Sequence, residues 1–437
     1  MIKIGCYEKK LTIPLFSELC GFGMFASRRN TGPCGDLYCR AVSLNDGEKR
    51  ALIISTDTCT MDDSYAREMR AKLASMYSIH PDYITFTATH THSAPALQNG
   101  GFMGYGIADA GFQEYWKQSV MEVADIALHS EEEIEYAETG KAPVSMKLGV
   151  NRVNLETDHT DETIRWVKFV KPDGKCKILL HSHGLHGITM NGHYRFFSSS
   201  DWSGAADQMI KDEQLAEMPL FFLGPCGDIN AKYSHMVIPD KGDPREYSAR
   251  FYISDLKKSL ASGGEKITDL ILNAFMDTYR LPEVKQSVEE IAADAERLRS
   301  INSYEAERAH CLEDMIIRIN RGDNLTSLHD FQVLKIGSIS FLFIPGEFFI
   351  DDGCDLMERS LSEHAFAVTV ANGNGGYYPS EETMKRYPTI DSKGEHGFGY
   401  YEVYGYPTQY HFKYADNIAE FVKTTLLNIE KNLTERK

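Results

Sequence analysis

Apolar and polar positions along this chain change period repeatedly, and the changes mark out alternating strands and helices. Arg50 to Thr56 is a short apolar run rich in β-branched residues. Ser64 to Tyr77 has helical spacing, Tyr83 to Thr89 reads as a second strand, and Phe112 to His129 as a second amphipathic helix. That order predicts an α/β fold. Met146 to Val150 and Ile164 to Val170 read as strands, and the turn Lys171-Pro-Asp-Gly-Lys175 before Ile178-Leu-Leu180 predicts a hairpin, so the sheet core is expected to be mixed and flanked by helices. Asp201 to Asp212 reads as a helix and Pro219 to Leu223 as a buried strand. Helical patterns cover Ile267 to Tyr279 and Tyr304 to Ile319; strands return at Phe331 to Ile336, Ser340 to Ile344 and Phe366 to Val370; a helix from Tyr414 to Glu430 closes the chain.

No Pro- or Ser-rich linker divides the chain and no repeat is evident, so residues 1–437 are expected to form one elaborated domain. The stretch 239–265 has the loosest composition and reads as an insertion or lid. A formal charge of -17 argues against nucleic acid and anionic membrane surfaces, whose recognition rests on neutralising phosphates. Small or weakly charged ligands fit better. No apolar run is long enough to span a bilayer, and the N-terminal residues do not resemble an export signal. The nine scattered cysteines, none in a Cys-x-x-Cys pair, predict neither a disulfide framework nor a thiolate zinc site. A reducing cytoplasm is the simplest home. Nothing in the sequence sets the oligomeric state, and a homo-oligomer stays open.

In α/β sheets ligands gather beyond the carboxyl ends of strands, and this chain puts its unusual polar residues there. His90 and His92 follow the Tyr83 strand, His186 follows Ile178-Leu-Leu180, Gly227-Asp228 follows the Leu220 strand, Glu347 follows Phe341-Leu-Phe-Ile344, and Asn372 to Tyr378 follows Phe366 to Val370. In extended backbone residues i and i+2 share a side, so His90 and His92 would face one pocket. Two loop histidines satisfied by hydrogen bonds would give the same spacing. His181, His183 and His186 form a second cluster that spacing alone does not resolve. Glu347 lies between an apolar run and Phe-Phe, where a charge survives only if paired or bound to a metal. Zinc accepts imidazole and carboxylate together and, with a position left for water, supports hydrolysis. No P-loop or dinucleotide fingerprint is present.

At these residues the chain resembles the neutral, non-lysosomal ceramidase family, and more closely short bacterial proteins that share only its catalytic domain. The matching pieces run in order: Asp36-Leu-Tyr-Cys-Arg-Ala-Val-Ser-Leu44, Thr89-His-Thr-His-Ser-Ala-Pro95, Asn151-Arg152, His186 followed by Ser200-Asp201, Gly227-Asp228, Pro345-Gly-Glu-Phe348, and Asn372-Gly to Tyr377-Tyr-Pro-Ser380. The resemblance implies a ceramidase-like catalytic domain and Zn2+ held by His90, His186, Glu347 and Tyr377, although Gly187 stands where the family has proline. It also implies that His92 and Arg152 contact the carbonyl oxygen as it becomes an oxyanion, a task suited to donors in a dry site. The family's Gly-Asp-Val-Ser is here Gly227-Asp-Ile-Asn230, and Asn cannot act as a nucleophile. Metal-activated water is therefore the expected attacking group, with Asp228 ordering the loop or the water and Asn230 hydrogen bonding on the substrate side.

The chain ends where that family continues into an immunoglobulin-like domain, which points to a small soluble substrate instead of a membrane-embedded sphingolipid. The expected activity is zinc-dependent hydrolysis of an amide or ester. A second reading keeps the metal but moves it to a glycosidic bond or lactone. Tyr401, Tyr404, Tyr406, Tyr410 and Phe412 make the C-terminal loop aromatic, and Tyr378 and Tyr404 are placed on the substrate side, with core packing the plainer reading of such a stripe. A third reading is a catalytically inactive binding protein on the same fold.

Overall fold

The computed structural model describes residues 2–22, 28–97, 105–234, 242–301, 303–390, 398–406 and 411–435. The first sheet holds β1 (Lys3–Lys10), β2 (Tyr38–Asn45), β3 (Arg50–Thr56), β4 (Ile84–Ala88) and β5 (Glu132–Glu133) in the order β4-β3-β2-β1-β5. Next along the chain come β6 (Tyr136–Pro143), β7 (Gly149–Asn151), β8 (Thr163–Val170), β9 (Cys176–His183), β10 (Met218–Leu223), β11 (Ile229–Ala231) and β12 (Glu265–Ile267). Five of these form a sheet of order β10-β9-β8-β6-β12, while β7 and β11 pair separately. The last strands are β13 (Leu272–Arg280), β14 (Leu328–Ile336), β15 (Ile339–Phe343), β16 (Glu347–Phe348), β17 (His364–Val368) and β18 (Tyr377–Tyr378), with a third sheet β13-β14-β15-β17 and a separate β16 to β18 pair. Helices α1 (Asp63–Tyr77), α2 (Ala110–His129), α3 (Asp201–Asp212), α4 (Pro244–Ser262), α5 (Val288–Arg299), α6 (Ser303–Arg321), α7 (Ile350–Arg359), α8 (Glu381–Arg386), α9 (Tyr400–Tyr404) and α10 (Ile418–Glu435) complete the mixed α/β architecture.

Each large sheet is mostly antiparallel but ends at one edge in a parallel pair: β3 with β4, β9 with β10, and β15 with β17. β4, β10 and β15 are buried along their whole length, and they are nearly continuous in apolar and β-branched residues, as parallel strands covered on both faces must be. The three edges meet. As the chain leaves β17, Thr369 N–H donates to Leu223 O at 2.9 Å and Asn372 N–H to Phe86 O at 2.8 Å, while Ala88 N–H donates to Val370 O at 3.2 Å. One hydrophobic cluster runs through all three sheets. Within it the Phe222 ring meets Phe341 and Phe343 edge to face at 5.6 and 5.8 Å, a favoured geometry for aromatic pairs. The carboxyl ends of five strands are thereby drawn to one place.

The stretch Ile267 to Tyr279, read above as a helix, is strand. Leu272–Arg280 pairs residue for residue with β14, and Leu272 and Ala274 alternate into the core. Its apolar positions satisfy a helical period as well, and the waiting hydrogen-bond edge of β14 decides the outcome. Of Met146 to Val150 only Gly149 and Val150 are strand, at the start of β7, and α5, announced by a Ser287 and Glu290 capping box, was not anticipated. The loosely composed 239–265 contains α4, which packs on α3 and buries Tyr252, Ile253 and Leu256, so this part is a built-in wall of the core; residues 239–241 lie outside the described residues. No described helix is long and apolar enough to cross a membrane.

Candidate metal centre

β4 stops at Ala88, and two residues on the chain turns through a left-handed His90, φ 60°, whose N–H donates to Thr58 O at 2.9 Å. A non-glycine residue in this region carries conformational cost and is held there by its surroundings. The turn, and not strand parity, brings His90 and His92 together, with their Nε2 atoms 3.2 Å apart. The His90 loop docks against the segment after β9: His92 N–H donates to Gly187 O at 3.0 Å, and Thr91 bridges Gly187. A Cβ at position 187 would lie 2.9 Å from His90 O, so the approach needs glycine where the ceramidase pattern has proline.

Each ring is then aimed. His90 Nδ1 donates to Cys59 O at 2.6 Å and His186 Nδ1 to Ile229 O at 2.9 Å, which leaves each Nε2 lone pair facing inward. Both meet Glu347, whose Oε2 lies 3.3 Å from His90 Nε2 and 3.2 Å from His186 Nε2. Glu347 opens β16 and is the register partner of Tyr377 in the parallel β16 to β18 pair, with its own N–H donating to Gly376 O at 2.7 Å. In a parallel pair register partners point to the same side. Gly227 makes room as well, since a Cβ there would lie 2.9 Å from Glu347 O.

These atoms fit a divalent ion. Two neutral imidazole nitrogens and a carboxylate oxygen are all acceptors, and buried together they have no reason to converge unless a cation or a shared proton joins them. Neighbouring ligand atoms of a tetrahedral zinc with bonds near 2.0 Å are separated by about 3.3 Å, and the two contacts to Glu347 match that spacing. Burial alone would raise the Glu347 carboxyl and lower His90, but the proton they share in the metal-free chain overrules both, holding the carboxyl well below the usual range and His90 above its ordinary value. His186 is pushed down to about 4 by burial, so it is neutral and ready to ligate. Among the described residues Cys59, His90 and His92 form a second candidate set that shares His90. His90 Nδ1 is already occupied by the Cys59 carbonyl, which favours the set with His186 and Glu347. His183 and His181 lie elsewhere on β9: His183 Nδ1 is 3.4 Å from Asp161 Oδ2, and His181 bonds Asp207 at 2.8 Å and Tyr252 at 3.0 Å.

Around the trio the polar residues divide. His92 Nδ1 accepts the Phe22 N–H at 3.2 Å, so the neutral ring carries its proton on Nε2; burial and the neighbouring His90 and His186 hold it well below its ordinary pKa. Arg152 donates to the Tyr377 hydroxyl at 3.1 Å, Gly227 O at 2.6 Å and Asn230 Oδ1 at 3.1 Å. Burial raises the Tyr377 phenol and Glu347 raises it further, while Arg152 works the other way. Asp228 turns away: it accepts from Asn151 Nδ2 at 2.8 Å and Ile350 N at 2.9 Å and so ties the loop after β10 to α7. The Tyr378 hydroxyl donates to Pro345 O at 2.7 Å and the Tyr404 hydroxyl to Tyr387 O at 3.1 Å, with both rings inside hydrophobic clusters. Tyr401 remains beside the site, edge-on to Tyr377 at 5.6 Å, and Tyr410 lies outside the described residues.

Sequence reasoning missed Glu402, whose Oε1 is 3.1 Å from Arg152 Nε, and Arg28, whose guanidinium donates to the carbonyls of Cys20 and His92 at 2.6 and 2.8 Å. A signal for Glu402 was present. It is the one charge in Tyr400-Tyr-Glu-Val-Tyr404, the same pattern of a carboxylate inside an apolar run that singled out Glu347.

No protein-family model matches the sequence, and no curated protein matches it. Solved structures do match the fold. The crystal structure of neutral ceramidase from Pseudomonas aeruginosa aligns with a TM-score of 0.75 at 14% identity, over 100% of this chain and 75% of that one. A ceramidase complexed with C2 aligns with a TM-score of 0.75 at 12% identity over the same shares. The fold of this chain is therefore ceramidase-like, a mixed α/β architecture shared with those enzymes at low sequence identity.

Proposed function

We propose that this chain is a zinc-dependent hydrolase that cleaves an amide bond, or an ester, in a small soluble substrate using metal-activated water. The observation that carries this reading is the convergence of His90 Nε2 and His186 Nε2 on Glu347 Oε2, each at tetrahedral-edge spacing and all three residues buried, with Tyr377 as register partner of Glu347. A zinc ion held there supplies Lewis acidity, lowering the pKa of a water towards neutrality and polarising a carbonyl. The ceramidase-like fold supports amide cleavage as the first choice of bond.

The chain's own residues do the rest. The carbonyls of Cys59 and Ile229 lock the two rings with their lone pairs inward. His92, neutral and with Nε2–H on the side of His90, is a donor to a carbonyl oxygen gaining negative charge. Because it resists protonation, it serves as a neutral hydrogen-bond donor and not as an imidazolium acid. Arg152 holds the Tyr377 hydroxyl and cancels charge beside Glu347. Asn230 offers Arg152 an acceptor and leaves attack to water.

Metal analysis should find about one zinc per chain, and a screen of N-acyl amino acids, N-acyl amino sugars and p-nitrophenyl esters should find a hydrolysed substrate. His90→Ala should lose both metal and hydrolysis. Zinc-free wild-type protein inert to the whole panel refutes the reading, and cleavage of p-nitrophenyl glycosides alone moves the activity to carbohydrate.

A further inference from the structure

The Arg152 side chain is 8% exposed, and its orientation matters because one terminal nitrogen of its guanidinium donates to both the Tyr377 hydroxyl and the Gly227 carbonyl. A guanidinium on a flexible stem does not choose that direction unaided, since rotation near Nε would turn the fork away. Three groups constrain it. Asn230 Oδ1 accepts from one terminal nitrogen at 3.1 Å, the Phe398 ring lies 5.1 Å from the guanidinium carbon, and Glu402 Oε1 stands 3.1 Å from Nε. Glu402 is 3% exposed and sits on α9, where its other oxygen accepts the Gly399 N–H that precedes the helix. Neither Glu402 Oε1 nor Arg152 Nε has an aligned hydrogen bond among the described residues, so the pair acts through charge and position. In a water-poor site such a pair is strong, and a buried Arg left without its counter-charge is costly.

We propose that Glu402 is a positioning residue for Arg152. Its carboxylate stands beside Nε and thereby fixes the rotation of the guanidinium that points one terminal nitrogen at Tyr377 and Gly227, so that α9, from the C-terminal part of the chain, sets the geometry of a centre assembled from the strand ends. The inference rests on the hydrolase reading for its consequence in catalysis, but the orientation itself can be tested without it. The alternative is that Glu402 only caps α9 through Gly399. Glu402→Gln separates the two, because an amide keeps the volume and the cap acceptor and removes the charge.

Two readouts decide. In a crystal structure of Glu402→Gln the guanidinium should leave the Tyr377 hydroxyl; in the zinc-loaded full chain, calorimetric titration with methylphosphonate, a small tetrahedral anion, should show affinity lower by about tenfold, the scale of losing an orienting partner behind a metal site. Adding Glu402→Gln to Arg152→Gln should weaken methylphosphonate binding no further than Arg152→Gln alone, since both act through the same group. Unchanged Arg152 contacts in Glu402→Gln, or full additivity in the double variant, overturns the proposal. A wild-type chain that binds no zinc counts against the hydrolase reading alone, and the crystal structure still judges this one. Should Glu402→Gln fail to fold, the Nε–H nuclear magnetic resonance signal of Arg152 in the wild-type chain settles it: a slowly exchanging, fixed group supports the proposal and a fast-exchanging, averaged one overturns it.

Discussion

Removing the carboxylate from the candidate centre should separate metal binding from folding. Glu347→Gln keeps the volume of a side chain that is 3% exposed and withdraws the one anion to which both imidazole nitrogens are aimed. A metal that binds only the native state stabilises it by about 4 kcal/mol when its concentration is roughly 1,000 times its dissociation constant. Unfolding a chain of 437 residues carries an entropy of about 0.9 kcal/mol/K, so that stabilisation raises the melting temperature by about 4 °C. Loss of a ligand weakens binding by at least about 100-fold, the upper end of what even an outer hydrogen-bond partner costs. At the same zinc concentration the gain then falls to about 1.4 kcal/mol, or about 1.5 °C. Differential scanning calorimetry with chelator and with saturating zinc measures both rises. An equal zinc-induced rise in wild type and Glu347→Gln, or none in wild type, refutes the assignment of Glu347 and with it the geometric argument for the centre.

Two further outcomes follow from buried groups near the centre. Burial and Glu347 keep the Tyr377 phenol protonated well above its ordinary pKa in the metal-free chain, so ligation by its oxygen must release a proton; calorimetry of zinc binding at pH 7 in buffers of different ionisation enthalpy should show about one proton fewer released in Tyr377→Phe than in wild type. Asp228 is pushed up to about 7 by burial. The folded state then binds the proton more tightly than the unfolded chain, whose carboxyl titrates near about 4, so this group's ionisation takes stability away as pH rises from about 4 to about 7, by up to about 1.4 kcal/mol per pH unit. Asp228→Asn, which resembles the protonated acid, should flatten that slope in urea unfolding measured at pH 5 and pH 7, and an unchanged slope removes Asp228 as its source.

The sequence alone was enough for the local alternation of strand and helix. Periods of 2 and 3.6 are written by neighbours in the chain, as in Arg50–Thr56, Asp201–Asp212 and Ile339–Phe343, where the observed elements match or nearly match the apolar pattern. It was also enough to place the unusual polar residues at strand ends, because a histidine or carboxylate just beyond an apolar run is a local feature. Tertiary structure decided what depends on partners distant in sequence. Leu272–Arg280 has a pattern compatible with a helix and became strand because β14 offered a full ladder of backbone partners. The parity argument for His90 and His92 assumed extended backbone, whereas a left-handed turn at His90 brings the rings together, held by its N–H on Thr58 O and by its docking on Gly187. Among three nearby histidines, His186 reaches Glu347 because Ile229, on a strand far along the chain, takes its other nitrogen. Glu402 was legible as an odd charge among tyrosines, but its partner Arg152 lies 250 positions earlier. Periodicity is a property of adjacent residues, whereas a buried charge acquires its meaning from the counter-charge that folding brings to it, and no local pattern encodes which one that is.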